Sequence, residues 1–282
     1  TFLRNANLTG GSHTAMRSTV VIGGSLAQTI HPGGLTFFKI NVTNRTAAVT
    51  FSGGLSAAEF RCDATNGLPS MTFQQGATYA IRDFVLLGST TATNVTLRSS
   101  NTGQTWNLNL LGYGLVKGVD VRDSNASGGK TVNPIASKDS GNNPNWAFGQ
   151  GWCQWLGTNG TSFHLANNWL PAAVPGGDSR VLIESANPAS ITNPVSIRQL
   201  VLGNGTQPAQ LTANTNVTVG EDVVVLNQGV LALNTPTVVS NDVVVLNGGT
   251  VTHSANSVAE TYKLDLTVRG ALWVDLYGRI DV

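Results

Sequence analysis

The sequence predicts an all-β fold, a right-handed parallel β-helix whose coils run about 20–24 residues each. Three observations carry that prediction. The hexapeptide "DVVVLN" occurs at residues 222–227 and again, letter for letter, at 242–247. Short β-branched runs, punctuated by Gly, Asn, Asp or Pro, fill the chain, and no helix-length periodic stretch interrupts them. Finally, a unit of about 20 residues cannot close a hydrophobic core alone, so it must stack on its neighbours.

The repeat extends beyond the hexapeptide. "TNVTVGEDVVVLNQGVLALN" (215–234) lies over "TPTVVSNDVVVLNGGTVTHS" (235–254) at an offset of 20. This places Val223 over Val243, Leu226 over Leu246, and Asn227 over Asn247 at a corner of the coil. A third copy, "LDLTVRGALWV" (264–274), aligns at an offset of 21, which puts Gly229, Gly249 and Gly270 in one column and Leu231, Val251 and Leu272 in another. Upstream, "LVLGNG" (200–205) matches "VVLNQG" (224–229) at 24, and in the N-terminal half "GGLTF" (33–37) precedes "GGLSA" (53–57). The corner residues have a physical reading. Stacked Asn side chains can ladder from coil to coil, and glycines permit positive φ where the chain turns. Right-handedness follows from the general hand of crossovers between parallel strands.

Composition limits the function. The 282 residues carry a formal net charge of +1 and only 11% charged side chains, which argues against nucleic-acid binding. Asn, Thr, Ser and Gly stand where a cytosolic protein would carry Lys and Glu, a composition that points to secretion or surface display. No apolar run reaches the roughly 18–20 residues of a membrane span, so membrane insertion is not expected. Thr1 is not an initiator Met, and the expectation is a processed product or a piece of a longer chain. Cys62 and Cys153 are the only cysteines. One disulfide and two buried thiols are both open from sequence.

The repeat breaks after about residue 142. From "NNPNWAF" to "GGDSR" the chain holds Trp146, Trp152, Trp155 and Trp169, four of its six tryptophans. The organisation read from this is a β-helix segment at 1–145, a Trp-rich junction or cap at 146–178, and a second β-helix segment at 179–282. A stack of coils has open sheet edges that need a cap. The competing reading is a sugar-stacking platform with Trp152, Trp155 and Trp169 as the ring candidates.

Residues 96–148, "TLRSSNTGQTWNLNLLGYGLVKGVDVRDSNASGG" through "NPNWAF", resemble a recurrent module of very large bacterial secreted and cell-surface proteins. In that module an "lRSs…G..W.l" strand leads to "V.yvDVkDSnA.gG" and ends in "DSGNN.NW". "WCQWLGTNGTSFHLANNWLPAAVPGGDSRVLI" looks like the entry that precedes β-helical repeats in autotransporter-like and adhesin-like proteins, and "GALWVDLYGRIDV" resembles a coil after which more sequence follows. The resemblance implies a structural or adhesive, non-enzymatic element of the cell exterior. Its partners would be further copies end to end, a continuation of the same chain, or surface glycans.

An enzyme of this shape would need acidic groups with a basic residue on one sheet face. Asp120, Asp123 and Asp139 with Lys117 and Arg122 are the available set. Asp120 and Arg122 fall on the same face of a strand, where they read as a surface ion pair. Asp120, Asp123 and Asn125 offer oxygens without a calcium-loop spacing. His13, His31, His164 and His253 are scattered without zinc spacing, and no cofactor motif appears. Asn-x-Thr triplets at 41–43, 94–96 and 216–218 are glycan acceptors by pattern alone.

Overall fold

The computed structural model describes all residues except 12–17, 65–66, 89–94, 150 and 205–206. His13 and the start of the 94–96 triplet therefore lie outside the described residues. The chain divides into two compact units, Thr1–Gln150 and Gly151–Val282. Within each unit parallel strands stack as β-solenoid coils about 22 residues apart, about 10 turns in all, with no α-helix among the described residues. One 3-10 turn, Ala166–Asn168, and one antiparallel pairing depart from the pattern among the described residues.

In the C-terminal unit each full coil supplies three strands to three sheets. The hexapeptides behave as the repeat predicts. Val223, Val224 and Val225 pair in parallel with Val243, Val244 and Val245. Val223 and Val225 point into the core with Leu231 and Leu233 from the next strand of the coil. The hexapeptide recurs because its alternate valines meet the same neighbours above and below, and a one-residue slip would turn the whole row over.

The structure corrects two of the alignments. The strand Leu272–Val274 pairs with Val243–Val245, and Leu266–Val268 with Thr237–Val239, an offset of 29 (272 − 243). Leu272 therefore stands over Val243, not in the column of Leu231 and Val251. The chain between the strands Thr250–Thr252 and Leu266–Val268 carries the added length. Within it, Asn256 accepts hydrogen bonds from the Thr261 and Tyr262 backbone N–H groups and donates to the Tyr262 carbonyl. Upstream, Leu200 pairs with Val223, an offset of 23 (223 − 200) rather than 24.

The glycines act differently from the expectation too. At the corner the left-handed residue is Gln228 (φ 61°) in one coil and Gly248 (φ 78°) in the next, one position before the predicted glycines. Gly229 and Gly249 are needed for close approach: a Cβ would lie 2.6 Å from the Leu202 carbonyl oxygen at Gly229 and 2.6 Å from that of Val225 at Gly249. The third member of this column is Gly278, whose Cβ would lie 2.5 Å from the Val245 oxygen. Gly270 instead sits beyond Asn241, to whose carbonyl its N–H donates at 3.0 Å.

The asparagine ladder also lies elsewhere. Asn227 and Asn247 are exposed, and among the described residues no hydrogen bond joins their side chains. Asn227 Oδ1 leans over Gly248, where a side chain would collide with it. A different corner is laddered. Asn234 Nδ2 donates to Asn214 Oδ1 at 2.7 Å and to Ser254 Oγ at 2.9 Å, while Asn234 Oδ1 accepts the Ser254 N–H at 2.7 Å. A third corner uses carboxylates: Asp222 Oδ1 accepts the Asp242 N–H, and Asp242 Oδ1 accepts that of Ala271.

In the N-terminal unit "GGLTF" and "GGLSA" stack as expected, Thr36 beside Ser56 and Phe37 beside Ala57. The core is aromatic. Phe51 and Phe73 stack at 5.4 Å, and Phe73 and Trp106 at 4.2 Å, with Tyr79 edge-on to all three. The buried Tyr79 hydroxyl donates to the Phe51 carbonyl and accepts the Gln74 N–H, so the ring carries no unmet polar group into the core.

Candidate functional site

The Trp-rich segment starts the C-terminal unit. Trp152–Trp155 pairs in parallel with Arg180–Ile183 and antiparallel with Trp169–Leu170, which lies on the outer edge of that sheet. Trp155 and Trp169 are each 1% exposed. Their rings meet edge to face at 4.9 Å, and Phe163 packs on Trp169 at 4.7 Å. Both indole N–H groups are used: Trp155 Nε1 donates to the Asn187 carbonyl and Trp169 Nε1 to that of Phe163, each at 2.8 Å. Buried Asn168 ties the loop by donating to the Gly160 and Ser162 carbonyls and accepting the Asn159 N–H. Of the three ring-stacking candidates, Trp155 and Trp169 thus present no face to a sugar, and only half-buried Trp152 keeps surface. Trp146 belongs to the other unit, buried with Nε1 donating to Ser124 Oγ.

The acidic candidates do not converge. Asp120 faces Arg98 at 2.9 Å, Lys138 at 3.5 Å and the Ser140 hydroxyl at 2.7 Å. Burial pushes its pKa up, but the Ser140 hydroxyl, Arg98 and Lys138 together outweigh it and hold the carboxyl below its ordinary value. Asp123 is buried with a left-handed backbone (φ 59°). It accepts the Gly103 N–H and the Asn142 side-chain amide, and it pairs with Arg122. Arg122 therefore serves Asp123, not the Asp120 that the strand spacing assigned to it. Asp139 caps the Gly141 N–H and accepts from Asn143, and Asn125 accepts the Ser127 N–H. Lys117 ends the strand Gly114–Lys117 and is buried.

These bonds give "DSGNNPNW" its physical meaning. Asn143 accepts the Ser124 N–H and donates to the Val121 carbonyl, and Asn145 donates to the carbonyls of Ala126 and Gly129. With Asn142 and Asn145 at φ 57° and 62°, the stretch folds back to brace the "DSNASGG" corner one coil below.

A charged column went unnoticed in the sequence. Lys39, Glu59 and Asp83 occupy one rung position in three successive coils. Each follows a residue that skips its own pairing, Phe38, Ala58 and Arg82. At that point two consecutive side chains turn away from the core, a stacked kink of the bulge kind. Lys39 and Glu59 pair at 2.9 Å, Arg61 approaches Glu59 at 3.9 Å, and Arg82 meets Asp83 at 2.5 Å. Buried Tyr113 closes the column, its hydroxyl pKa raised well above the ordinary value by burial and then by Asp83 and Glu59. The readable signal is the broken alternation in "FFKI", "AAEF" and "IRDF". Arg180, Glu221 and Arg198 form a second chain of ion pairs, at 3.2 and 2.6 Å.

Both cysteines are free and buried, which decides between the two sequence alternatives. Burial, then the charge of Asp63, pushes the Cys62 thiol up to about 12, so it stays neutral and unreactive. Among the described residues no three His, Cys, Asp or Glu side chains group to hold a metal ion.

The remaining unusual surface is the last coil. Leu272 and Val274 occupy the inward columns of Val243 and Val245, and Ile280 that of Val251, yet they are 47%, 40% and 37% exposed because no described coil lies above them. Leu276 and Tyr277 at the adjoining corner are exposed as well. No family model matches this chain, and no curated protein or solved structure is found to be similar to it.

Proposed function

We propose that the chain is a non-enzymatic structural or adhesive element of the bacterial cell exterior, a stacked building block that associates through its coil ends. The observation that supports this most is how the polar groups are used. Asp120, Asp123, Asn143 and Asn145, and the indoles of Trp155 and Trp169, all direct hydrogen bonds to neighbouring coils or to the edge of the first one. Such groups add coil-to-coil cohesion, and the hydrogen bonds named here commit them to protein partners and not to a substrate.

Two measurements test the reading. Incubation with a panel of bacterial and plant polysaccharides is expected to release no product, and a glycan array is expected to show no hit that disappears in Trp152→Ala. Product formation lost in Glu59→Gln or Asp83→Asn would replace the structural reading with an enzymatic one. An array hit lost in Trp152→Ala would replace it with carbohydrate binding.

A further inference from the structure

We infer that His164 is an acid-sensitive latch: its neutral imidazole fastens the loop 157–168 to the first strand of the five-stranded sheet, and protonation at Nε2 lets that edge go. This goes beyond the structural reading above, which assigns the loop no response to its medium.

The latch answers a need of the backbone. Ala189–Ile191 is the outermost strand of its sheet and pairs with Leu211–Ala213 on one side only. Its other edge carries N–H and C=O groups that need partners. The loop meets the first of them with its own backbone. The Ser190 N–H donates to the Thr161 carbonyl at 2.7 Å, and the Phe163 N–H donates to the Ser190 carbonyl at 3.0 Å. Two residues further along, the same alternation would ask for a carbonyl to accept the Thr192 N–H. A side chain takes that place: His164 Nε2 accepts the N–H groups of Thr192 at 3.3 Å and Asn193 at 3.1 Å.

Only one protonation state can do this. Two N–H groups can point at Nε2 only while that nitrogen keeps its lone pair, so the ring proton sits on Nδ1. An imidazolium carries hydrogen on both nitrogens and would set a third N–H against the two amides. An imidazole ordinarily takes up its second proton near pH 6.5, within reach of a mildly acidic medium. His164 is half-buried, so solvent protons can reach the ring.

The surroundings hold nothing else that titrates. Phe163 lies edge-on to the imidazole at 5.8 Å. The loop region 156–177, the strand and corner 185–197, and the stretch 203–220 that stacks on them contain no Asp, Glu, Lys, Arg, Cys or Tyr, and no other His. The nearest charged residues along the chain, Asp178, Glu184, Arg198 and Glu221, flank strands of a different sheet, Arg180–Ile183, Gln199–Leu202 and Val223–Val225. Among the described residues His164 joins no ion pair. A charge on the ring therefore meets no carboxylate to offset it, and the two amide dipoles decide the outcome. What acid uncovers is a strand edge open to pairing.

Amide hydrogen exchange of the 282-residue chain at about pH 7.5 and about pH 5.5, corrected for the intrinsic effect of pH on exchange, tests this. Protection at Ser190, Thr192 and Asn193 is expected to fall about tenfold at the lower pH, the contribution of one ordinary hydrogen bond, while Val243–Val245 stays unchanged. His164→Gln, whose amide oxygen can accept the same N–H groups without titrating, should remove the pH dependence, and His164→Ala should lower protection at both pH values. Circular dichroism checks that each variant is folded, and the parent compared with His164→Gln is a sufficient test if His164→Ala is not. Nitrogen-15 spectra of the parent near pH 7.5 should place the ring proton on Nδ1. A proton on Nε2 there, equal protection of the parent at both pH values, or the parent's pH dependence persisting in His164→Gln would overturn the inference.

Discussion

At the scale of single residues, the two kinds of glycine separate cleanly. Gly249 has a conformation any residue adopts but no room, since its Cβ would lie 2.6 Å from the Val225 oxygen. Gly220 lies outside the left-handed region as well, and its Cβ would make ordinary contacts at 3.8–3.9 Å. Gly249→Ala is therefore expected to destabilise by about 2 kcal/mol or more through backbone displacement, whereas Gly220→Ala should be neutral or add about 0.4–1 kcal/mol by restricting the unfolded chain. Denaturant titration of both variants checks the contrast. Asp120 supplies a pH signature. Its pKa is lowered in the folded state, so the stability it contributes is complete above the unfolded value of about 3.9 and is lost as pH falls through the folded value. Asp120→Asn should accordingly be less stable than the parent at pH 7, and the gap should close as the medium is acidified below about pH 4. A gap that persists at low pH would mean that shape, not charge, holds Asp120 in place.

At the scale of elements, stability depends on which corner is laddered. Asn234 bonds to the coil below through Asn214 and to the coil above through Ser254, while Asn227 is exposed. Asn234→Ala is expected to cost about 1–3 kcal/mol and Asn227→Ala less than about 0.5 kcal/mol, as thermal unfolding of the pair would show. Sequence reasoning chose the wrong corner for an understandable reason. Identical neighbours at offset 20 made Asn227 and Asn247 look like the ladder, but a ladder needs each side chain to meet its twin, and Asn227 places its Oδ1 over Gly248 instead of Asn247. The valine columns were legible because the hexapeptide repeats letter for letter, and strands buried on both faces, Val224 and Val244 as well as Val223 and Val225, read as unbroken apolar runs. The offset-29 coil was not, because an inserted loop shifts the register without altering the local pattern, and "RGALWV" still resembles a neighbouring coil at the wrong spacing. The charged column at Lys39, Glu59 and Asp83 escaped for a related reason: a bulge breaks the alternation on which strand reading depends.

At the scale of the whole molecule, a repeat in sequence is informative about architecture and poor in information about activity. Every coil repeats one environment, so the period shows through, and the polar side chains at the laddered corners, Asn234, Asp222 and Asp242 among them, bond from one coil to the next. The same economy sets where unfolding begins. In a stack whose units contact only their neighbours, stability is a sum of local terms, and loss of an end piece exposes the next layer first. Trp155 and Trp169 cover the first coil of the C-terminal unit, packed edge to face and anchored to the Asn187 and Phe163 carbonyls. Trp155→Ala is expected to cost about 3–5 kcal/mol, and the cost should be spread unevenly. Hydrogen exchange should quicken first at Val181–Ile183, which pairs directly with Trp152–Trp155, then at Leu200–Leu202 one coil further on, and later or not at all at Val243–Val245. Uniform loss of protection along the unit would show that its coils unfold as one cooperative body and that the tryptophans act as core, not as an end cover.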